Sequence, residues 1–312
     1  MEEVLYHPEF GYYTSTRNPI GRAGDFYTSS DLDPIFGKLL ARKFQSMAAT
    51  LGVSDGDFTI LELGAGRGLL AREILQHARF HYLILERSAA MRERQREALS
   101  GLDIEWVGDF PDQLTGCVFS NEFFDALPVH RIVRRNGVLR EIYVTADFTE
   151  TEGDLQEPID APLAEGQLAD ISTDAIRWIE RIAASLHRGF HLAIDYGYED
   201  REFYARPRGT LMCYWQHQIV EDPYIRIGEQ DITAHVNFAD LKRAGEAAGL
   251  EGISLQTQMD FLVELGILKE IEALAPAANA EAVQRMMAIK KLLLPDAMGQ
   301  RFKVLVQRKS GV

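Results

Sequence analysis

Residues 58–69 read Phe58-Thr59-Ile60-Leu61-Glu62-Leu63-Gly64-Ala65-Gly66-Arg67-Gly68-Leu69, an apolar run that breaks into alternating glycines and then turns apolar again. The first six residues have the character of a buried strand, and Leu69 to His77 reads as a helix. A strand, a glycine-rich turn and a helix together cradle a nucleotide-like ligand. Glycine lets the backbone approach the ligand closely, and the helix N-terminus presents free N–H groups. The spacing excludes two common occupants. The dinucleotide fingerprint needs glycine at position 69, where leucine stands, and no Gly-Lys-Ser/Thr follows to make a phosphate-cradling loop.

Glu62 narrows the ligand further. A carboxylate beside the turn repels a pyrophosphate and suits a cationic ammonium. S-adenosylmethionine carries an ammonium and a sulfonium and no phosphate, so it is the expected cofactor, held by Glu62, Gly64, Ala65, Gly66 and Gly68. Glu86 ends the next apolar strand, where a carboxylate can accept both ribose hydroxyls. Asp109-Phe110 follows the third strand and pairs an acid for an adenine amino group with a ring for stacking. The plainer alternatives are an acid paired with a nearby arginine at Glu62 and a solvated strand-end acid at Glu86.

Outward from the turn, strands and helices alternate. Tyr82–Glu86, Ile104–Val107, Cys117–Ser120 and Phe190–Asp195 read as strands, while Ser88–Ser100 and Thr173–His187 read as helices. Upstream, Ile35, Leu39, Leu40, Phe44, Met47 and Leu51 recur at helical spacing, with Ser30 or Asp31 as a cap and Gly52 as a stop. This alternation predicts an α/β fold of the Rossmann-like type, a mostly parallel seven-stranded sheet with helices on both faces. The chain reads as one domain, residues 1–312, with an N-terminal loop or cap at 1–30. Two stretches interrupt the pattern: an antiparallel hairpin within 129–147, turned by Asn136-Gly137, and a helical stretch at 260–295. Both are expected to shape a partner-binding surface. The last strand is Phe302–Val306.

Composition sets wider bounds. The 312 residues are 46% hydrophobic and 26% charged, as in ordinary globular proteins. The net charge of −14 disfavours unselective binding to nucleic acid or anionic membrane. Cys117 and Cys213 are the only cysteines, too few for a disulfide framework, which points to a reducing, cytoplasmic setting. No signal-peptide pattern opens the sequence, and no apolar run approaches the ~20 residues that span a bilayer. His187 and His191 flank Gly189 ahead of a strand, and no cluster at metal-ligand spacing is seen, so no metal is expected.

Five blocks carry a family resemblance: Gly21–Phe26, Leu61–Gly68, Ser120–Val129 (Ser-Asn-Glu-Phe-Phe-Asp-Ala-Leu-Pro-Val), Ile194–Tyr198 and Asp231–Val236. Together they resemble the MidA-like family of class I methyltransferases. The resemblance implies S-adenosylmethionine as cofactor and a protein arginine as acceptor, because mitochondrial members methylate a respiratory complex I subunit during assembly. Two features depart from the family. Members carry a helical segment before the Tyr6–Tyr13 block, so a late start and a reduced cap are expected here. The stretch Met212–Gln218 is also unusual, and it bears on substrate contacts.

Methyl transfer from a sulfonium is an in-line displacement in which the enzyme aligns the nucleophile and keeps water out. A guanidinium acceptor must also be held by carboxylates and lose a proton. Asn121-Glu122 ends the fourth strand, where open α/β sheets bind ligands, so Glu122 is expected to orient the acceptor with Asn121 as polar partner. Asp125 is a second carboxylate that could equally cap a helix, and His235 is a candidate proton acceptor or substrate contact. Arg22 and Asp25 sit in a glycine-punctuated loop that could fold over the cofactor, with Arg22 on its carboxylate or in an internal ion pair. The aromatics Phe10, Tyr12, Tyr13, Phe26 and Tyr27 read by default as packing of an irregular segment, with lining of the cofactor pocket as the alternative. Competing readings are a small-molecule methyltransferase, a non-catalytic methyltransferase-like assembly factor and, disfavoured by Leu69 and Glu62, a nicotinamide oxidoreductase.

Overall fold

The computed structural model describes residues 1–14, 33–274 and 279–311. Strands β1 (Thr59–Leu63), β2 (His81–Leu85), β3 (Ile104–Val107), β4 (Leu114–Asn121) and β9 (Leu186–Tyr198) pair in parallel, in the order β9-β4-β1-β2-β3. The final strand β15 (Phe302–Lys309) runs antiparallel to β9, and β14 (Glu251–Thr257) runs antiparallel to β15. That path holds seven strands, and a two-residue strand β13 (Val236–Asn237) adds to β9. The chain therefore reverses its winding between β1 and β4, which makes a switch point above their carboxyl ends.

Alternation along the strands divides the core into two. Ile60, Tyr82, Ile84, Cys117, Phe119 and Leu192 face one side, where the helices Ile35–Leu51, Leu69–Leu75 and Ala280–Leu293 cover them. Leu61, Leu63, Leu83, Val118 and Ala193 face the other side, under the helices Thr173–Ser185 and Phe238–Ala247. Apolar side chains thus cover both faces of β1, which explains why Ile60, Leu61 and Leu63 do not alternate with polar residues; Glu62 at its carboxyl end is the exception. Ser88 caps the helix Ala89–Ala98 by accepting from the Met91 N–H at 3.2 Å, and Gly52 stops the helix Ile35–Leu51 in a left-handed conformation. Pro34 precedes that helix, and Asp33 Oδ1 accepts the Ile35 N–H at 3.0 Å; Ser30 and Asp31, named above as caps, lie outside the described residues.

The excursion after β4 extends further than the hairpin read at 129–147. Strands β5 (His130–Arg135), β6 (Val138–Val144), β7 (Glu150–Gly153) and β8 (Leu168–Ile171) form a separate antiparallel sheet ordered β7-β6-β5-β8. A third sheet, β11-β10-β12, comprises β10 (Leu211–Trp215), β11 (Gln218–Val220) and β12 (Asp231–Ala234), and no sequence signal announced it. The hairpin β10–β11 turns through Gln216 and His217, both at positive φ, where the usual Asn-Gly or Asp-Gly pair is missing. The stretch 260–295 is helical in its described residues, in the segments Gln258–Glu264, Ile267–Leu274 and Ala280–Leu293. The N-terminal segment is not all loop: a short helix Glu2–Tyr6 leads to a turn, and Leu5 of the helix and Tyr12 after it pack on Cys213 and Ile232.

Candidate active site

A cavity of about 860 Å³ opens beyond the carboxyl ends of β1, β2, β4 and β9. One wall is the glycine turn. Gly64, Gly66 and Gly68 have φ of 62°, 52° and 75°, in the left-handed region. At Gly64 the absence of a side chain is doubly required, because an added Cβ would lie 2.9 Å from the Phe123 ring. Glu62 projects into the cavity, buried, with the Tyr82 hydroxyl donating to it at 2.9 Å. Burial pushes this carboxyl up to about 7; the Tyr82 bond works against that rise, and the nearby Glu86 adds to it.

Glu86 follows β2 and also lines the cavity. Its Oε1 accepts the Ser88 N–H at 2.8 Å, and its Oε2 accepts from Gln95 at 3.2 Å. The same Gln95 amide donates to the Gly66 carbonyl at 2.8 Å and accepts from the Trp106 indole at 2.9 Å. Gln95 therefore ties the glycine turn to the carboxylate expected to take the ribose. Its sequence signal is faint, since a lone glutamine in a charged helix gives no hint of burial.

The opposite wall comes from β4, β9, β12 and the N-terminal segment. Glu122 follows β4 with φ of 53°, a conformation that non-glycine residues seldom adopt, and it accepts from Asn121 Nδ2 at 2.9 Å. Asp125 is buried, receives a hydrogen bond from the Tyr196 hydroxyl, and is pushed up to about 6 by burial. His235 is held edge-on between the rings of Tyr196 and Tyr198, at centroid distances of 5.3 and 5.1 Å. Burial and the positive charges of Arg206 and Arg301 push its pKa down to about 4, so it is a neutral imidazole at physiological pH. Asn121 Oδ1, Asp125 Oδ1 and His235 Nδ1 are buried and have no hydrogen-bond partner among the described residues.

The structure thus gathers Glu62, the glycine turn, Glu86, Asn121, Glu122, Asp125 and His235 around one cavity. It does not bring Asp109 and Phe110 there. Asp109 is exposed and paired with Arg181 at 2.5 Å, and the same guanidinium stacks on Phe110 at 4.8 Å, so a surface ion pair takes the carboxylate assigned to adenine. Arg22 and Asp25 lie outside the described residues.

Three contributors escaped the sequence reading. Asp231 lines the cavity and accepts from the Tyr13 hydroxyl at 2.7 Å. Tyr6 stacks on Tyr13 and donates to the Ala126 carbonyl at 2.9 Å, and both line the cavity, whereas Tyr12 packs in the core and Phe10 is exposed; Phe26 and Tyr27 lie outside the described residues. Asp195 anchors the turn after β4 from beneath. The Asp-Ile-Thr-Ala-His block and the N-terminal tyrosine density were the available signals, but neither says which face it meets.

Residues 39–255 match the family described as "Putative S-adenosyl-L-methionine-dependent methyltransferase". The chain belongs to this methyltransferase family. It is 30% identical to a protein of Rattus norvegicus named protein arginine methyltransferase NDUFAF7, mitochondrial, over 97% of this chain and 78% of that protein. Its human counterpart of the same name is 29% identical, over 97% of this chain and 77% of the relative. A Burkholderia thailandensis protein solved with S-adenosyl-homocysteine superposes with a TM-score of 0.90 at 29% identity, covering 99% of this chain and 86% of that one.

The cofactor of this methyltransferase is S-adenosylmethionine, and the cavity suits it. The glycine turn gives backbone clearance, Glu62 is a desolvated carboxylate suited to an ammonium, and Glu86 at the end of β2 lines the same cavity, where it would meet a ribose. When bound, this cofactor supplies a methyl group made electrophilic by its sulfonium. Tyr6, Tyr13 and the Gly64 turn wall the site, while Glu122, Asp125 and His235 face the remaining space, where an acceptor would be held and relieved of a proton.

Proposed function

We propose that the acceptor is an arginine side chain of a partner protein. The observation that carries this reading is the surplus of acceptors on one wall. Asn121 Oδ1 and Asp125 Oδ1 are buried and unbonded among the described residues, with the Glu122 carboxylate on the same turn. Buried polar atoms ordinarily find partners, so this wall suits a ligand rich in donors. Guanidinium has five N–H donors and no acceptor, and its planar fork matches carboxylates. His235 contributes a further lone pair when its proton sits on Nε2, and Glu122 orients the acceptor nitrogen. The names of the mitochondrial relatives support the same class of acceptor. A respiratory-complex subunit is the first partner to test, following the family resemblance. A reducing, cytoplasmic setting completes the proposal, supported by two free and buried thiols.

The test is transfer of isotopically labelled methyl from S-adenosylmethionine into an extract made from cells lacking this protein. Protein and small-molecule pools are then separated and peptides mapped. Label on arginine, lost with Glu122→Gln, is expected. Label confined to small molecules or to another side chain would overturn the reading, and no label in any pool would favour a non-catalytic assembly role.

A further inference from the structure

The turn that carries Glu122 is held against its own conformational preference. A non-glycine residue at φ of 53° is strained, and it persists only where the surroundings over-determine it. Here the constraint comes from β9, and most of it from one side chain. Asp195 Oδ2 accepts the backbone N–H groups of Phe123 at 3.1 Å, Phe124 at 2.9 Å and Asp125 at 3.3 Å. Its Oδ1 accepts the Tyr196 N–H at 2.9 Å. The Glu122 N–H donates to the Ile194 carbonyl at 2.9 Å, so β9 grips the turn at both ends. Three successive N–H groups converging on one acidic side chain form a backbone nest, here filled by the protein itself; burial and the neighbouring Asp125 and Glu122 push this carboxyl up, and the backbone N–H bonds oppose that rise. The clamp also reaches the cofactor side, because it seats Phe123 in the space that a Cβ on Gly64 would occupy.

We propose that Asp195, fully buried and absent from the cavity lining, is a positioning residue for methyl transfer: its side chain holds Glu122 in a strained pose and registers the acceptor turn against the glycine turn. This rests on the reading that Glu122 faces the acceptor. A side chain with two acceptor oxygens is needed because both receive N–H donors. Asp195→Asn keeps the volume but turns one acceptor into a donor that confronts those N–H groups.

Three readouts on Asp195→Asn test it: calorimetric S-adenosylmethionine affinity, total label transferred to any acceptor pool, and amide hydrogen exchange. Expected are a little-changed affinity, a fall in turnover of about 100-fold from a displaced turn, and faster exchange confined to residues 122–126. Total transfer is counted whatever the acceptor, so a failed arginine assignment leaves the result readable. Normal turnover in the folded variant would overturn the proposal, as would loss of cofactor affinity in step with turnover, the mark of a purely structural residue. Should Asp195→Asn not fold, exchange in the unmodified protein decides. Strong protection of the Phe123, Phe124 and Asp125 amides supports the clamp, and exchange at open-loop rates refutes it.

Discussion

Glu62 should make cofactor binding depend on pH in a direction and size that follow from its burial. The carboxyl titrates at about 7 because it is desolvated, and an ammonium placed beside it favours the ionised form. Its pKa must therefore fall on binding, and affinity must rise as pH increases through the free carboxyl's range. At pH 6 roughly a tenth of the free protein is ionised there, and at pH 7.5 roughly three-quarters, a gain of about eightfold. The ligand's own α-amino group titrates near ~7.7–8.0 and has lost about a third of its protons by pH 7.5. The net expectation is about fivefold tighter binding at pH 7.5 than at pH 6, or ~1 kcal/mol. Isothermal titration calorimetry at the two pH values measures it. Glu62→Gln should abolish the rise and weaken binding at pH 7.5 by roughly 10- to 100-fold, the worth of a hydrogen bond to a charged group. A flat or falling profile in the unmodified protein, or the same rise in Glu62→Gln, would refute the reasoning.

Other expectations follow from the same geometry. Glu62 titrates higher in the folded than in the unfolded chain, so its contribution to stability is present below the unfolded value of 4.5 and is lost as pH climbs toward 7. The cofactor-induced rise in Tm should consequently be larger at pH 7.5 than at pH 6, and scanning calorimetry showing equal shifts would count against it. Glu122→Gln should eliminate measurable transfer while leaving calorimetric cofactor affinity nearly intact; unchanged turnover removes Glu122 from catalysis. Gly64→Ala meets both a φ of 62° and the Phe123 ring, so it should cost about 1–2 kcal/mol and weaken cofactor binding; a variant with unaltered Tm and affinity would show the turn is not confined as described. Ser88→Ala loses the cap on the Met91 N–H and the bond to the Tyr13 carbonyl at 2.9 Å, and chemical denaturation should register a loss of about 1 kcal/mol.

Much of this was legible in the sequence because it rests on local chemistry. The run Phe58–Leu63 had to be a strand buried on both faces, and three glycines at positive φ had to follow where backbone meets ligand. The absence of glycine at 69 and the charge of Glu62 selected the cofactor class before any fold was visible. The β insertion was legible only at its Asn136-Gly137 hairpin, since β7 and β8 are only four residues each and β8 pairs with β5, far off in sequence. What tertiary structure alone decided is where distant side chains converge. Asp109 reads as an adenine contact until Arg181, from a helix remote in sequence, takes its carboxylate at the surface. Tyr13 reads by default as packing until the N-terminal segment folds across β12 and its hydroxyl meets Asp231. Asp195 is one acid among many until β9 places it beneath three N–H groups of a turn about 70 residues earlier in the chain, since its Oδ2 meets Asp125 N across a separation of 70. Propensity and spacing report on a residue's own neighbourhood, whereas burial, charge compensation and backbone strain belong to the assembled sheet.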